Sequence, residues 1–187
     1  MPSKRARAAI AAIVALSAAG GGYVTIWGAR VPDDVALAGE YLNKPWEGRE
    51  LRAYPDPATG GKPWTICDGD TENVKPGMVE TPAGCDRRLS RRMLQFRAEL
   101  VSCVPAFAAK PLSWRSMMNS LAWNLGPGRV CSSTAARLGR EGRYVESCKA
   151  ATAFNKAAGR VMIGLVKRRG YGDANRIGEQ ELCEAGL

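Results

Sequence analysis

The longest regular pattern in this sequence is an apolar stripe between residues 81 and 103. Its members recur every three or four positions, which places them on one face of an α-helix: Cys85, Leu89, Met93, Phe96, Leu100 and Cys103. Thr81-Pro82 provides the helix start, since proline is tolerated in the first helical turn. The opposite face is basic, and we expect it to be solvated rather than to form a dedicated binding patch: Arg87, Arg88, Arg91, Arg92 and Arg97.

The residues before this helix predict a short helix and then a β-hairpin. Pro32-Asp33-Asp34 is typical of a helix start in which an acid caps free backbone N–H groups. Pro45 is expected to end that helix, because the residue before a proline avoids the helical region. Residues 51–54 and 64–67 have the composition of short strands, and the Pro/Gly-rich stretch between them predicts a long turn.

After residue 105 the pattern is helical throughout. Trp114, Met117, Leu121 and Leu125 share one helical face, which ends at Gly126-Pro127-Gly128. The layout predicts an α+β, mostly helical domain at residues 31–187, with three parts. These are a small hairpin lobe at 31–80, a connecting helix at 81–103 and a larger helical lobe at 104–187. A cleft between two such lobes is a common place for a site.

The amino-acid composition limits the kinds of catalytic and binding site that this chain can form. The 187 residues suffice for one sizeable domain, and none of them is histidine. A Ser-His-Asp triad, a Cys-His pair and a His-ligated zinc site are excluded. Acid–base catalysis near neutral pH therefore falls to carboxylates, with a Lys, Tyr or Cys of shifted pKa as the alternative. The formal charge of +9 suits an anionic partner such as cell-wall polymer or a membrane surface. Nucleic acid is the competing interpretation of that charge, but no recognised nucleic-acid-binding motif accompanies it.

Residues 1–30 predict a segment for export or anchoring. Three cations, Lys4, Arg5 and Arg7, precede 22 uncharged positions at 8–29, enough to cross a bilayer as a helix. Twelve of those 22 are alanine or glycine, so the segment is only marginally suited to a membrane. The alternative is a cleaved signal peptide with its apolar region at 8–16 and a small-residue cleavage site after it. Either interpretation predicts an N-in, C-out orientation.

The predicted hairpin carries three candidate catalytic residues. Glu47 precedes the first strand, Asp56 follows nine positions later, and Thr65 lies on the returning strand. Glycosidic cleavage needs one carboxylic acid to protonate the leaving oxygen and a second carboxylate to activate water or attack the sugar. Beside Trp46 and under a helical lobe, Glu47 is the candidate acid. Taken alone, this spacing is more typical of two solvated surface charges.

The order of motifs resembles the phage-type lysozymes, glycoside hydrolase family 24. Besides the Glu-Asp-Thr hairpin, similar segments occur at residues 122–126, 130–134, 164–169 and 181–183, so the resemblance covers about residues 34–187. It implies a two-lobe lysozyme-like fold and muramidase activity between N-acetylmuramic acid and N-acetylglucosamine of peptidoglycan. It further implies an inverting mechanism and no metal or cofactor.

The resemblance also implies roles for individual residues. Glu47 is then the general acid, Asp56 the base that positions water, and Thr65 the residue that orients this water. Eight residues separate Asp56 from Thr65, where the family usually has five, so Thr59 remains an alternative to Thr65. Asn124 is a candidate to bind a sugar group, or else to satisfy backbone carbonyls at a helix end.

Two further acids, Asp68 and Asp70, invite a calcium interpretation. The stretch around them lacks the twelve-residue loop with a terminal glutamate, so we expect no calcium site there.

The six cysteines predict disulfides, because an even count accompanies an export-like N-terminus. The alternative is a reduced cytosolic protein with buried thiols. Cys85 and Cys103 lie roughly 27 Å apart on one predicted helix, too far to pair. Sequence does not otherwise choose among the fifteen pairings. We favour the three that join segments which the proposed lobes would bring together: Cys67–Cys85, Cys103–Cys131 and Cys148–Cys183.

These features together predict a phage endolysin that degrades the cell wall during host lysis. Residues 8–29 resemble a signal-anchor-release helix, which holds such an enzyme in the inner membrane before it reaches the periplasm. We expect peptidoglycan and the inner membrane as partners, no nucleic acid, and a monomer. The alternatives are a catalytically inactive lysozyme-like wall-binding module and a basic membrane-anchored protein that acts through its charge.

Overall fold

The computed structural model describes residues 3–56 and 60–187, which form ten α-helices and three two-stranded antiparallel sheets. The first half of the chain contains α1 (Lys4–Ala18), β1 (Tyr23–Ile26), β2 (Ala29–Pro32), α2 (Asp33–Ala38), a π-helical turn (Gly39–Asn43), α3 (Lys44–Glu47), β3 (Glu50–Asp56), β4 (Gly61–Cys67) and α4 (Pro82–Cys103). The second half contains a 3-10 turn (Phe107–Ala109), α5 (Leu112–Leu125), α6 (Pro127–Cys131), α7 (Thr134–Arg140), α8 (Tyr144–Ala151), β5 (Lys156–Ala157), β6 (Arg160–Val161), α9 (Ile163–Arg169) and α10 (Glu179–Ala185).

The uncharged run at residues 8–29 is divided between a helix and a hairpin. Helix α1 ends at Ala18, and a glycine turn leads into β1 and β2. Gly21 and Gly22 have φ of +60° and +87°, a left-handed conformation that breaks a helix and that glycine adopts at low cost. Among the described residues, no helix is long and apolar enough to span a bilayer.

Helix α1 packs on the rest of the domain. Its buried stripe consists of small or slender side chains, Ala6, Ala9, Ile13 and Ser17, which contact α2 and α10. Arg5 adds an ion pair of 2.7 Å to Glu181 of α10. The N-terminal segment therefore contributes to the same hydrophobic core as α2 and Leu182.

The helix that precedes the hairpin starts where expected, at Asp33, but the prediction that Pro45 ends it was wrong. The backbone widens into a π-helical turn, in which the Lys44 N–H donates to Gly39 O, and then resumes as α3 with proline in its first turn. Proline lacks only an N–H that the first helical turn leaves unpaired anyway. The extension makes Glu47 the last helical residue before Gly48, whose φ is +68°.

The predicted hairpin is present, with longer strands than the sequence indicates. Strand β3 begins at Glu50, opposite Cys67, and β4 begins at Gly61, opposite Asp56. Its core is small: Ile66, Cys67 and Cys85 are buried, with partly buried apolar side chains around them.

Helix α4 begins as predicted. Thr81 accepts a hydrogen bond from the Gly84 N–H, and Pro82 is the first helical residue. Its basic face differs from the expectation of a solvated surface, because most of its arginines form ion pairs within the chain. Arg88 binds Asp70 and Glu80, and Arg97 binds the fully buried Asp34.

The helical lobe is organised around α5, in which every residue from 113 to 122 is buried. Trp114 is completely buried and donates from Nε1 to Ser147 Oγ of α8 at 2.8 Å. The predicted stripe of Trp114, Met117 and Leu121 faces this core, and the helix ends at Gly126 as expected.

The three predicted disulfides are confirmed. Cys67–Cys85, Cys103–Cys131 and Cys148–Cys183 have Cα–Cα distances of 5.2, 5.9 and 5.9 Å. The first joins β4 to α4, beside the hairpin. The other two tie α4 to α6 and α8 to α10.

Candidate active site

Glu47 lies where the hairpin lobe meets the helical lobe. Its Oε1 accepts a hydrogen bond of 2.6 Å from Arg168 Nη1 on α9, and the two side chains are 17% and 5% exposed. The loop after β4 approaches its other oxygen so closely that a Cβ on Gly69 would lie 3.2 Å from Glu47 Oε2. Gly69 has φ of +93°, so a larger residue would be strained there as well as crowded. Glu47 is thus bound by Arg168 of the helical lobe and lies against the loop after β4 of the hairpin lobe.

Arg168 belongs to a buried charge cluster. Its Nε lies 3.7 Å from Oε1 of Glu179, which is fully buried and also accepts from Ser120 Oγ at 2.6 Å and from Arg169. Arg168 Nη2 is buried and has no hydrogen-bond partner among the described residues. One arginine therefore connects the candidate acid to an ionised network in the helical lobe.

Sequence reasoning did not place Arg168 in the site. It lies 121 positions after Glu47, and the sequence signal was only the apolar-to-basic segment at 164–169. The signal that could have found it is the position of Arg168 within α9, directly after the apolar residues of that helix. A cation there either faces solvent or must find a carboxylate.

The other two candidate catalytic residues lie near each other on the hairpin. Asp56 is the last residue of β3, and Thr65 is a half-buried residue of β4 that pairs with Tyr54. The structure describes the backbone of Asp56 but not its side chain. The alternative, Thr59, lies outside the described residues. The roles of Asp56 and Thr65 remain predictions.

Asn124 lies at the end of α5, beside a cleft of about 610 Å³ that also reaches Trp46 and Arg168. Its Oδ1 accepts a hydrogen bond from Arg169 Nη2, so this oxygen already has a partner within the protein. Within residues 3–56 and 60–187, no hydrogen bond from Asn124 to a backbone carbonyl is observed. A substrate-binding role for its amide N–H groups remains a prediction.

Trp46 forms part of the wall of this cleft. Its Nε1 donates to Ile177 O at 2.9 Å, and the guanidinium of Arg176 lies 3.8 Å from its ring centroid. Arg176 in turn binds Asp173, and this contact lowers the pKa of Asp173 to about 2. The residue preceding the candidate acid is therefore fixed by the loop between α9 and α10.

Asp68 and Asp70, the acids that invite a calcium interpretation, are buried against arginines. Arg49 binds Asp68 and Asp86, and Arg88 binds Asp70. The hydrogen bond to Asp68 is the main cause that raises the pKa of Arg49. These pairs join the loop after β4 to the start of α4, next to Gly69.

Solved structures define the class of fold. The chain is similar to the P1 phage endolysin Lyz, with a TM-score of 0.64 and 22% identity over 95% of this chain and 94% of that one. It is also similar to the muramidase domain of SpmX from Asticaccaulis excentricus, with a TM-score of 0.63 and 24% identity over 80% and 93% of the two chains. The protein therefore has a lysozyme-like fold, as predicted.

Sequence comparison then gives the family. Residues 44–171 match the family model Phage lysozyme, and the chain belongs to this family. The SAR-endolysin of Pseudomonas phage phiKMV is 34% identical over 130 residues, 66% of this chain and 76% of the relative. The SAR-endolysin of Enterobacteria phage P21 is 27% identical over 184 residues, 98% of this chain and 97% of the relative.

Proposed function

We propose that this protein is an endolysin that hydrolyses the β-1,4 bond between N-acetylmuramic acid and N-acetylglucosamine of peptidoglycan during host lysis. Membership of the phage lysozyme family supports the reaction class. The observation that carries the proposal is the position of Glu47, a mostly buried carboxyl group held by Arg168 where the two lobes meet.

In this mechanism Glu47 donates a proton to the leaving glycosidic oxygen. Arg168 occupies Oε1, so the proton leaves from Oε2, on the side of Gly69. Asp56 acts as the base for a water molecule on the opposite face of the sugar, and Thr65 orients that water. Direct attack of water inverts the configuration at the anomeric carbon.

The first experiment replaces the candidate acid. Glu47→Gln keeps the size of the side chain but removes the proton donor, so we expect wall hydrolysis to fall at least about a hundredfold. Turbidity loss of chloroform-treated Gram-negative cells measures the activity, and mass spectrometry of the released muropeptides identifies the bond. Glu50→Gln is the matched control, because Glu50 lies three positions away and forms no ion pair within the described part of the chain.

A folded Glu47→Gln variant with normal hydrolysis would overturn the assignment. If Glu47→Gln releases no muropeptides but clears cells as before, the protein acts through charge. If the unsubstituted protein binds sacculi without cleaving them, it is an inactive wall-binding module. The anomer formed first, followed by NMR, decides between inversion and retention.

We further propose that residues 8–29 anchor the enzyme in the inner membrane, N-in and C-out, before it enters the periplasm. The names of the two relatives support this anchor. Outward movement of Lys4, Arg5 and Arg7 opposes an inside-negative potential by about 2.3 kcal/mol per charge per 100 mV. Loss of the potential removes this barrier, and the packing of α1 on α2 and α10 then fits the released enzyme.

Fractionation and N-terminal sequencing before and after an uncoupler test the anchor. We expect an uncleaved chain in the membrane of energised cells and the same chain in the periplasm after depolarisation. A soluble form that begins near Gly20 in energised cells would identify an ordinary signal peptide instead.

A further inference from the structure

The β5–β6 hairpin and α9 expose large apolar side chains. Every residue from 156 to 164 is exposed, and this stretch includes the β5–β6 hairpin. Val161, Ile163 and Val166 are 57%, 74% and 44% exposed, and Ile163 is the most exposed large apolar side chain among the described residues. We call these three residues the apolar knob. Ile163 and Val166 lie three positions apart on α9 and so share one face of that helix. A contiguous exposed apolar patch marks an interaction surface.

The apolar knob is separate from the cleft that Trp46, Asn124 and Arg168 line. The part of this segment that lines the cleft consists of Lys156, Ala157, Met162, Gly164 and Leu165. Val161, Ile163 and Val166 are not among the residues that line the cleft. Binding of a glycan strand in the cleft therefore does not explain their exposure.

The charged residues in the sequence around the knob are all cationic. Residues 147–172 contain six lysines and arginines and no aspartate or glutamate. Arg168 and Arg169 are buried and bind carboxylates of the site. Arg160 and Lys167 flank the knob, are exposed, and pair with no carboxylate within the described ranges 3–56 and 60–187.

We propose that the apolar knob, with Arg160 and Lys167, binds the surface of an anionic lipid bilayer. Charge complementarity selects this occupant. A soluble polyanion would use the cations but would gain nothing from three bare aliphatic side chains, whereas an interfacial site needs both. This contact is distinct from the N-terminal anchor, since it lies on the catalytic domain and operates in the released enzyme.

The test uses the purified full-length chain and two kinds of vesicle, one of phosphatidylcholine alone and one with a quarter phosphatidylglycerol. We expect co-sedimentation with the anionic vesicles and weaker binding to the neutral ones. V161S/I163S/V166S should lower the partition coefficient by about tenfold. R160Q/K167Q should weaken binding to the anionic vesicles only. I163W should retain binding, because tryptophan suits the interface.

The control variant is V101S/V145S, which changes two valines exposed to a similar degree on α4 and α8. It should bind as the unsubstituted chain does. If V161S/I163S/V166S still binds normally, the N-terminal segment accounts for the vesicle binding and the proposal is wrong. An equal loss of vesicle binding in V101S/V145S would also overturn the proposal.

Hydrolysis of purified, lipid-free sacculi separates this proposal from the proposed enzyme activity. V161S/I163S/V166S should hydrolyse sacculi within about twofold of the unsubstituted chain, because the knob does not line the cleft. A much larger loss in a folded variant would place the knob in glycan binding and refute the membrane role. If the unsubstituted chain hydrolyses no sacculi yet binds anionic vesicles through the knob, the enzyme proposal fails and this one stands.

Discussion

Fourteen buried side chains form the hydrophobic core around α5 in the helical lobe, whereas three form the core beside the β3–β4 hairpin among the described residues. The buried side chains of the helical lobe pack around Trp114 and its neighbours on α5. The β3–β4 hairpin and the loop after it instead rely on the Cys67–Cys85 disulfide and on arginine–carboxylate pairs. The three candidate catalytic residues thus lie in or beside a hairpin stabilised by specific polar and covalent links, whereas Arg168 and Asn124 come from a lobe stabilised by apolar packing.

A hairpin with a small hydrophobic core can keep a fixed position through buried, paired charges. Asp68 and Asp70 are each only 2% exposed, and carboxylates buried to this degree require paired charges. Arg49 and Arg88 supply these charges from the link between α3 and β3 and from α4. Substitutions in the two lobes should therefore have different costs and different local effects.

The largest effect is expected in the core of the helical lobe. Trp114→Ala removes a fully buried indole and the donor to Ser147, so we expect the free energy of unfolding to fall by about 3–5 kcal/mol. Urea unfolding followed by circular dichroism measures it. Val145→Ala, an exposed position on α8, serves as the control and should change stability by less than about 0.5 kcal/mol. A small loss of stability in Trp114→Ala would contradict the conclusion that apolar packing stabilises this lobe.

The next effect concerns the disulfide of the hairpin lobe. Cys67 and Cys85 are 18 positions apart, and removal of such a link costs about 3 kcal/mol in the chain-entropy model. In C67A/C85A we expect faster amide hydrogen exchange in β3 and β4, together with reduced wall hydrolysis. C103A/C131A should lose comparable stability but keep hairpin protection. Unchanged exchange in C67A/C85A would show that the ion pairs alone hold the hairpin.

A smaller effect is expected from a single ion pair of the hairpin lobe. Arg88→Gln leaves the buried carboxylate of Asp70 without its cation, which should destabilise the protein by about 2 kcal/mol. Arg137→Gln is the matched control, because its pair with Glu141 is exposed and should contribute less than about 0.5 kcal/mol. Thermal or urea unfolding compares the two variants. Equal losses of stability in the two variants would mean that the burial of Asp70 does not increase the contribution of its ion pair.

The smallest effect is the loss of stability in acid. The hydrogen bond from Arg88 lowers the pKa of Glu80. Burial acts to raise the pKa of Glu181, but hydrogen bonds from Arg5, Ser3 and Gly178 outweigh it, so this pKa is also lowered. Depressed carboxyl pKa values stabilise the fold above the unfolded pKa, near 4.3 for glutamate, and this stability is lost as pH falls through the folded values.

We therefore expect the midpoint temperature of thermal unfolding to stay constant between about pH 5 and 7 and to decline below about pH 4. Glu181→Gln should shrink this decline by removing one of the contributing groups. A decline of the same size in Glu181→Gln would exclude the contact between α1 and α10 as a contributor.

Local sequence patterns predicted much of this fold because their determinants are local. The start of α2 at Asp33, the Thr81 cap of α4 and the end of α5 at Gly126 each depend on a few adjacent residues. The lobes that these elements define also led to the three disulfides.

Features that depend on distant contacts were not predicted. The π-helical turn carries the helix past Pro45, a position at which local rules alone end it. The β1–β2 hairpin begins inside an apolar run that suits a helix equally well. The pairing of Arg168 with Glu47 joins residues 121 positions apart, and no spacing rule connects them.

The buried stripe of α1 has a consequence for how lysis timing can evolve. Ala6 and Ala9 are small because α1 lies close against α2 and α10, so larger side chains there would prevent docking. The glycine turn is equally restricted, since a Cβ on Gly20 would lie 2.3 Å from Tyr23 O. The opposite face of α1 is exposed and free of such contacts: Ala8, Ala11, Ala12 and Ala15. Selection for a stronger or weaker anchor can therefore act on one side of the helix while the enzyme's own folding constrains the other.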